Sequence, residues 1–227
     1  MRDVETIGCK SLSAIVTAWH YKIPQLHKAS NISGKHKDSL RIGKSTMTEK
    51  KKIFVIIGSA SQNSANQKLV DNFASLTKDN FNLTIFNDLK TLPHFDPKLS
   101  TDNSPTIITE FRNAIENADG ILICTPEYIF SIPSGLKNAI EWCVSTTVFS
   151  DKPIGLITAS ASGQKGHEEL QMIMKTVMTN FTDETTLLIQ GIKGKINDKG
   201  EIIDSKTKDD LLRFIKAYKT LIKNACP

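Results

Sequence analysis

TPEYIFSIPSGLKNAIEW, residues 125–142, is the stretch that indicates the fold. It follows the short apolar run GILIC, residues 120–124, which is typical of a buried strand. After a loop with two prolines, apolar residues return with a spacing of three and four, which predicts a helix with one buried face. These residues are Leu136, Ala139, Ile140 and Cys143. Strand, loop and helix in this order favour an open α/β sheet, where ligands bind beyond the carboxyl ends of the strands.

Four further strands alternate with helices along the chain. The strands are predicted at residues 53–57, 84–86, 154–158 and 186–189. Amphipathic stripes between and after them predict the helices. Such alternation requires right-handed crossovers, a parallel sheet and helices on both of its faces. We therefore expect an α/β fold in a single domain, residues 47–227.

Residues 1–46 differ from the rest in charge. They contain eight basic and three acidic residues, which account for the whole net charge of +5. Three interpretations remain open: a targeting peptide, a functional basic tail, or an upstream extension of a working protein that starts at Met47, which we favour. Residues 47–227 contain 21 basic and 21 acidic residues, so no excess charge favours nucleic acid or an anionic membrane as a partner.

Two further features limit the class of protein. No run of about 18 apolar residues occurs, so we expect no membrane span. The four cysteines are scattered, with neither CxxC spacing nor a histidine cluster, so we expect no disulfide framework and no metal site. A reducing compartment, the cytoplasm, is the expected location.

Residues 59–66, which follow the first strand, read SASQNSAN. Small hydroxyl and amide side chains at the start of a helix suit a phosphate group, because the first backbone N–H groups of a helix are free and carry partial positive charge. The alternative is that they are ordinary helix caps and turn residues. The loop lacks both the GxGxxG spacing and a lysine, which favours a mononucleotide over a dinucleotide or a triphosphate.

The loop after the third strand is unusually apolar, with Tyr128, Ile129 and Phe130 in succession. Either a flat aromatic ligand or a neighbouring subunit would explain them. Residues 160–166, after the fourth strand, combine small hydroxyl residues with two glycines, which allow a close approach of backbone to ligand. For His167, which follows, we expect a solvated or capping role rather than a catalytic one.

The motifs GS…SxN at residues 58–66 and TPEY…SxP…LKNAIEW at residues 125–142 resemble those of the NADPH-dependent FMN reductase family, flavodoxin-like proteins that include quinone and chromate reductases. The resemblance covers about residues 52–185, and the second motif is its specific part. It implies a flavodoxin-like three-layer sandwich with strand order 2-1-3-4-5 that binds FMN non-covalently. It also implies a homodimer or homotetramer with the site near the interface.

The resemblance implies which residues contact the cofactor. The phosphate contacts are Ser59, Ser61, Ser64, Ala65 and Asn66; the contacts along the isoalloxazine ring are Pro126, Glu127, Tyr128 and Ile129; Ser160, Ser162 and Gly163 approach its other edge. Two positions depart from the family pattern: Ser61 stands where arginine is usual, which weakens the electrostatic grip on the phosphate, and Ile129 stands where asparagine is common.

The reaction implied is transfer of hydride from NADPH or NADH to the flavin, followed by reduction of a quinone, free flavin or similar acceptor. No catalytic side chain is expected, since the cofactor supplies the chemistry. For Glu127 we expect the backbone N–H to matter more than the carboxylate. Two alternatives remain: a flavodoxin-type electron carrier that serves a protein partner, and an α/β domain that binds another phosphate ligand.

Overall fold

The computed structural model describes residues 49–225. The predicted extension, residues 1–46, lies outside this part of the chain. Five strands are present: β1 (Lys51–Ile57), β2 (Phe81–Phe86), β3 (Gly120–Thr125), β4 (Ile154–Ser160) and β5 (Thr186–Gln190). The α-helices are α1 (Ala65–Thr77), α2 (Pro97–Ser100), α3 (Thr106–Glu116), α4 (Ser134–Glu141), α5 (Gln164–Thr176) and α6 (Ser205–Asn224).

The five strands form one sheet in the order β2-β1-β3-β4-β5, and every neighbouring pair is parallel. The predicted α/β fold and strand order 2-1-3-4-5 are therefore confirmed. β4 extends two residues beyond its predicted end, so that Ala159 and Ser160 are strand residues rather than loop residues. Pro133 lies just before α4, at its N-cap, rather than in the first turn.

Alternation along the central strands divides the core into two layers. Phe54 and Ile56 of β1 face one side, where α3, α4 and α5 pack. Ile53, Val55 and Ile57 face the other, where α1 and α6 pack. Side chains of successive strand residues point to opposite faces, so a run of apolar residues fills both layers. The result is a three-layer sandwich, as expected.

α6 is fixed to the central strand by an unusually close approach. Tyr218 is fully buried, and its hydroxyl donates to the Ile121 carbonyl oxygen at 2.7 Å. A Cβ atom at Gly120 would lie 2.1 Å from Ile222 Cδ1, so a larger residue there would require the Ile222 side chain to move. This contact fixes α6 at the amino end of β3.

No helix in residues 49–225 is both long enough and apolar enough to cross a membrane.

Candidate functional site

Strands β1, β3 and β4 end at the same edge of the sheet. The register pairs Ile57 with Cys124, and Thr125 with Thr158. The loops that leave these strands therefore start side by side. We call residues 58–64 loop 1, residues 126–133 loop 2 and residues 161–163 loop 3. The sequence prediction that they meet at one edge is confirmed by this register.

Loop 1 leaves β1 in close contact with β3. The Gly58 N–H donates to the Cys124 carbonyl at 2.8 Å. A Cβ atom at position 58 would lie 2.2 Å from the Thr125 hydroxyl, so any other residue would push the two strands apart. Gly58 thus fixes the distance between the beginning of loop 1 and that of loop 2.

The serines of loop 1 shape the start of α1. Ser64 is the N-cap of the helix, and its hydroxyl accepts from the Gln67 N–H at 3.1 Å. The Ser59 hydroxyl, which is largely buried, accepts from the Ser61 N–H at 3.3 Å. Both hydroxyls keep a proton to donate, and Ser61 itself is exposed. The loop therefore offers O–H donors next to the positive end of a 13-residue helix.

Asn66, predicted to contact the phosphate, is used to join the loops. Its side chain is buried, and its Nδ2 donates to the Ala159 carbonyl at 3.1 Å. The Cys124 thiol donates to its Oδ1 at 3.4 Å. The amide thus links α1 to both β3 and β4, which leaves the hydroxyls and backbone of loop 1 as donors for a ligand.

Loop 2 contains a tight hairpin with two strained residues. Tyr128 and Ser131 exchange both backbone hydrogen bonds, at 2.9 and 3.1 Å. Ile129 and Phe130 form the tip with φ of 50° and 59°, a left-handed conformation that favours glycine and asparagine. Ile129 is 94% exposed and Phe130 75%. Two bulky apolar side chains are thus displayed on a backbone that disfavours them.

The Glu127 carboxylate joins loop 2 to loop 3. One oxygen accepts from the Gly163 N–H at 3.1 Å and the other from the Gly166 N–H at 2.7 Å. Gly163 is the N-cap of α5, so the charge also lies at the positive end of that helix. The Ser160 hydroxyl donates to the Glu127 carbonyl at 3.3 Å. Beside the backbone N–H role that the sequence suggested, the carboxylate therefore has a structural role.

His167 is buried, so of the two roles expected for it the solvated one is wrong. It is 6% exposed, and its Nδ1 lies 2.9 Å from the Thr158 hydroxyl, near the end of β4. Burial lowers the pKa of His167, and the nearby Glu168 carboxylate opposes this only in part. The sequence did not reveal this because one histidine at a helix start gives no sign of which side it faces.

Loops 1 and 2 border a cavity of about 970 Å³, which we call the loop cavity. Eight of the twelve predicted cofactor contacts line it: Ser59, Ser61, Ser64, Ala65, Asn66, Pro126, Tyr128 and Ser160. The remaining four do not. Glu127 and Gly163 are joined by a hydrogen bond outside the cavity lining. Ile129 is exposed at the hairpin tip, and Ser162 is exposed as well.

The loop cavity has a wall that the sequence reasoning missed. Residues 191–194, which follow β5, line it together with Lys68, Ile196 and Asp198. The Gly191 N–H donates to the Ala161 carbonyl at 3.1 Å, which fixes this fourth loop to loop 3. A signal was available, since the carboxyl end of β5 must lie at the same edge as the others.

A second cavity, of about 1160 Å³, lies on the other side of loop 1. The two cavities share Ser59, Ser61, Gln62, Asn63 and Tyr128 as lining residues. The second is bordered by the segment after β2 and by the first turns of α4, including His94 and Lys137. The two cavities therefore lie side by side at the carboxyl edge of the sheet, and we call them together the groove.

The chemistry of the groove suits a mononucleotide with a flat ring. Small-molecule cavities commonly measure about 300–1,000 Å³, and the loop cavity lies at the upper end of that range. Its loop 1 end offers hydroxyls and a helix start, while its loop 2 end is lined by the rings of Pro126 and Tyr128. The residues present therefore fit FMN.

Other reactive groups do not gather at the groove. Within residues 49–225, no three metal-ligating side chains come together. Cys124 and Cys143 are buried and unpaired. Burial raises the pKa of both thiols, that of Cys143 to about 12, so neither is a nucleophile at neutral pH.

Replacing Glu127 with glutamine should destabilise the protein. The amide can accept from only one of the two N–H groups and places its own N–H against the other, which should cost about 1–3 kcal/mol of unfolding free energy. Denaturant unfolding would measure the loss. The matched control is Glu168→Gln, on the exposed side of α5, where the unfolding free energy should change much less. Equal losses in both variants would contradict the joining role of Glu127.

His167 should also make the protein less stable at acidic pH. Because its pKa is lowered in the folded state, the unfolded chain binds more protons at pH values between the folded pKa and 6.5. The histidine therefore imposes no penalty above pH 6.5, and stability is lost as the pH falls below that value. Melting temperatures between pH 7 and pH 5 should decrease less in His167→Asn than in the wild type, whereas His94→Asn, at an exposed loop position, should follow the wild type.

Comparison with known proteins agrees with this geometry. Residues 51–186 match the family described as NADPH-dependent FMN reductase. A 2-hydroxy-1,4-benzoquinone reductase of Burkholderia sp is 29% identical over 180 residues, which span 76% of this chain and 97% of that protein. A quinone reductase of Escherichia coli (strain K12) is 27% identical over 186 residues, or 78% of this chain and 98% of the relative.

A solved structure shares the fold. The flavoenzyme NAD(P)H:(acceptor) oxidoreductase FerB from Paracoccus denitrificans superposes with a TM-score of 0.67 at 24% identity, covering 77% of this chain and 98% of the other. The family match covers more than half of the chain and includes loops 1, 2 and 3. The protein therefore belongs to the NADPH-dependent FMN reductase family.

Proposed function

We propose that this protein holds FMN non-covalently and passes hydride from NADPH or NADH to a quinone, free flavin or similar small acceptor. The observation that supports this best is the loop cavity. Its hydroxyl-rich end, which suits a phosphate, and its end lined by Pro126 and Tyr128 both come from the family's motifs. Residues 47–227 carry this function in the proposal, because the family match lies within them.

In this proposal loop 1 holds the phosphate and loop 2 holds the ring. The exposed Ser61 hydroxyl and the start of α1 donate to phosphate oxygens. Pro126 and Tyr128 form a wall for the isoalloxazine, and the Glu127 carboxylate keeps that wall against loop 3. FMN held there would supply the two-electron chemistry between NAD(P)H and the acceptor.

The side chains then orient rather than exchange protons. Glu127 is held by two N–H groups, and His167 is buried against Thr158. In the proposal, the proton that completes reduction of a quinone to its quinol comes from water. The second cavity adjoins the loop cavity at Tyr128, and in the proposal the reductant and the acceptor approach the ring from that side.

The function is tested by reconstitution with FMN. The purified protein should take up FMN and show flavin absorption, which NADPH should bleach without oxygen and a simple benzoquinone should restore. A protein that remains colourless and shows no thermal shift with excess FMN would contradict the proposal. One that binds FMN but does not oxidise NADPH in the presence of a quinone would be an electron carrier instead.

A charged variant with a matched control tests whether the FMN phosphate binds at loop 1. Ser61→Glu places a negative charge beside the expected phosphate position and should weaken FMN binding at least about tenfold, through like-charge repulsion. Ser75→Glu adds the same charge at an exposed position on α1, outside the lining residues, and should leave FMN affinity unchanged.

We also propose that the protein forms a homodimer or homotetramer through the loop 2 hairpin, in a reducing compartment such as the cytoplasm. The unpaired thiols of Cys124 and Cys143 support that location. Strained, exposed apolar residues are retained where they have a function, and Ile129 and Phe130 are both. Burial of these two side chains against a second copy would offset the cost of their backbone conformation.

Replacing the hairpin tip tests the subunit contact. The double variant Ile129→Asn with Phe130→Gly suits the left-handed conformation, so it should lower the mass in solution to that of a monomer while raising the unfolding free energy of the monomer by about 1 kcal/mol. Light scattering after size exclusion measures the mass. Ile203→Asn, at another exposed apolar residue, should keep the wild-type mass. An unchanged mass in the double variant would exclude the hairpin as the contact.

A further inference from the structure

The phosphate end of the loop cavity lacks a positive side chain within its own loop. Residues 58–66 contain no lysine and no arginine. A phosphate monoester carries about −1.5 to −2 charges at neutral pH, and hydrogen bonds to it strengthen when the donor is charged. A loop of neutral hydroxyls therefore leaves most of that charge to be balanced from elsewhere.

Two cations from other parts of the chain line the same cavity, Lys68 of α1 and Lys193. The Lys68 ammonium is oriented towards the turn after β5, since it donates to the carbonyls of Asn197 and Asp198 at 3.3 and 3.4 Å, and one of its three donors remains. The Lys193 side chain is exposed, and among the described residues no carboxylate lies within ion-pair distance of it.

The turn that carries Lys193 is fixed at its base and open towards its tip. Ile192 is buried in the core beside α6, and the Gly191 N–H is bonded to the Ala161 carbonyl of loop 3. A Cβ atom at Gly191 or Gly194 would meet nothing within 4 Å, so the space on both sides of Lys193 is free. The ammonium group therefore extends on a flexible side chain from an anchored backbone beside the cavity.

The charged residues around the two cavities also favour the loop cavity as the place where a phosphate binds. Residues that line the loop cavity include two lysines and one carboxylate, Asp198. Those that line the second cavity include Lys90 and Lys137 against three carboxylates, Asp71, Asp88 and Glu141. An anion is therefore attracted to the loop cavity and not to its neighbour.

From these observations we propose that Lys193, on the loop after β5, supplies the positive charge that binds the FMN phosphate and that loop 1 does not provide. This deepens the proposed function and rests on it. Recognition of the phosphate then depends on a segment about 130 residues beyond loop 1 in sequence, brought there by the order of the strands.

The test compares two ligands that differ only in the phosphate, FMN and riboflavin, by quenching of flavin fluorescence. Lys193→Gln should raise the Kd for FMN about five- to tenfold and leave that for riboflavin within about twofold, because only the charged hydrogen bond is lost. The Kd for FMN should also become less sensitive to salt. Lys193→Arg should retain wild-type affinity. Ser61→Arg in the Lys193→Gln background should restore FMN binding, by placing a cation in loop 1.

The matched control is Lys199→Gln, an exposed lysine of the same segment outside the lining residues, which should bind both ligands as the wild type does. A Kd for FMN that is unchanged in Lys193→Gln, or that rises equally for FMN and riboflavin, overturns the role of Lys193 while the proposed function stands. A wild-type protein that binds no FMN overturns both.

Discussion

The two hydrogen bonds from the backbone of Gly163 and Gly166 to the Glu127 carboxylate are the interaction on which the site depends. Parallel strands bring their ends to one edge of the sheet, but they do not fix the distance between the loops that follow. The carboxylate does so for loops 2 and 3. It also places a negative charge at the start of α5, where the helix dipole favours it. The same carboxylate therefore positions the wall of the cavity and stabilises α5.

At loop 1, too, some polar residues hold the structural elements together while another remains exposed. Asn66 joins α1 to β3 and β4 through its amide, and Ser64 caps the helix, while Ser61 remains exposed. Polar residues that line this groove thus belong to two overlapping groups, those that hold its walls together and those that keep a donor free for a ligand. Both groups are rich in the same residue types, because the side chains that cap helices and bridge loops also donate to phosphate.

This overlap explains how far the sequence could predict the structure. The sheet, its order and the two layers of helices followed from branched apolar runs and amphipathic stripes, because burial imposes those patterns directly. The family motif located loops 1 and 2. It could not separate Glu127, which turns away from the cavity, from Tyr128, which lines it, since the direction of a side chain in a loop depends on hydrogen bonds made in the folded chain.

The positions of His167 and Lys193 in the fold could not be predicted from the sequence, for related reasons. A histidine four residues into a helix is exposed or buried according to how that helix lies on the sheet, and here it meets Thr158 of β4. Lys193 lies in a turn-rich segment whose composition indicates only a surface loop. In both cases the information is in the packing of one element against another. Lys193 lines the same cavity as loop 1, so in the proposal the electrostatics of this site are a property of the whole sheet edge, and the absence of a cation at position 61 does not leave the cavity without positive charge.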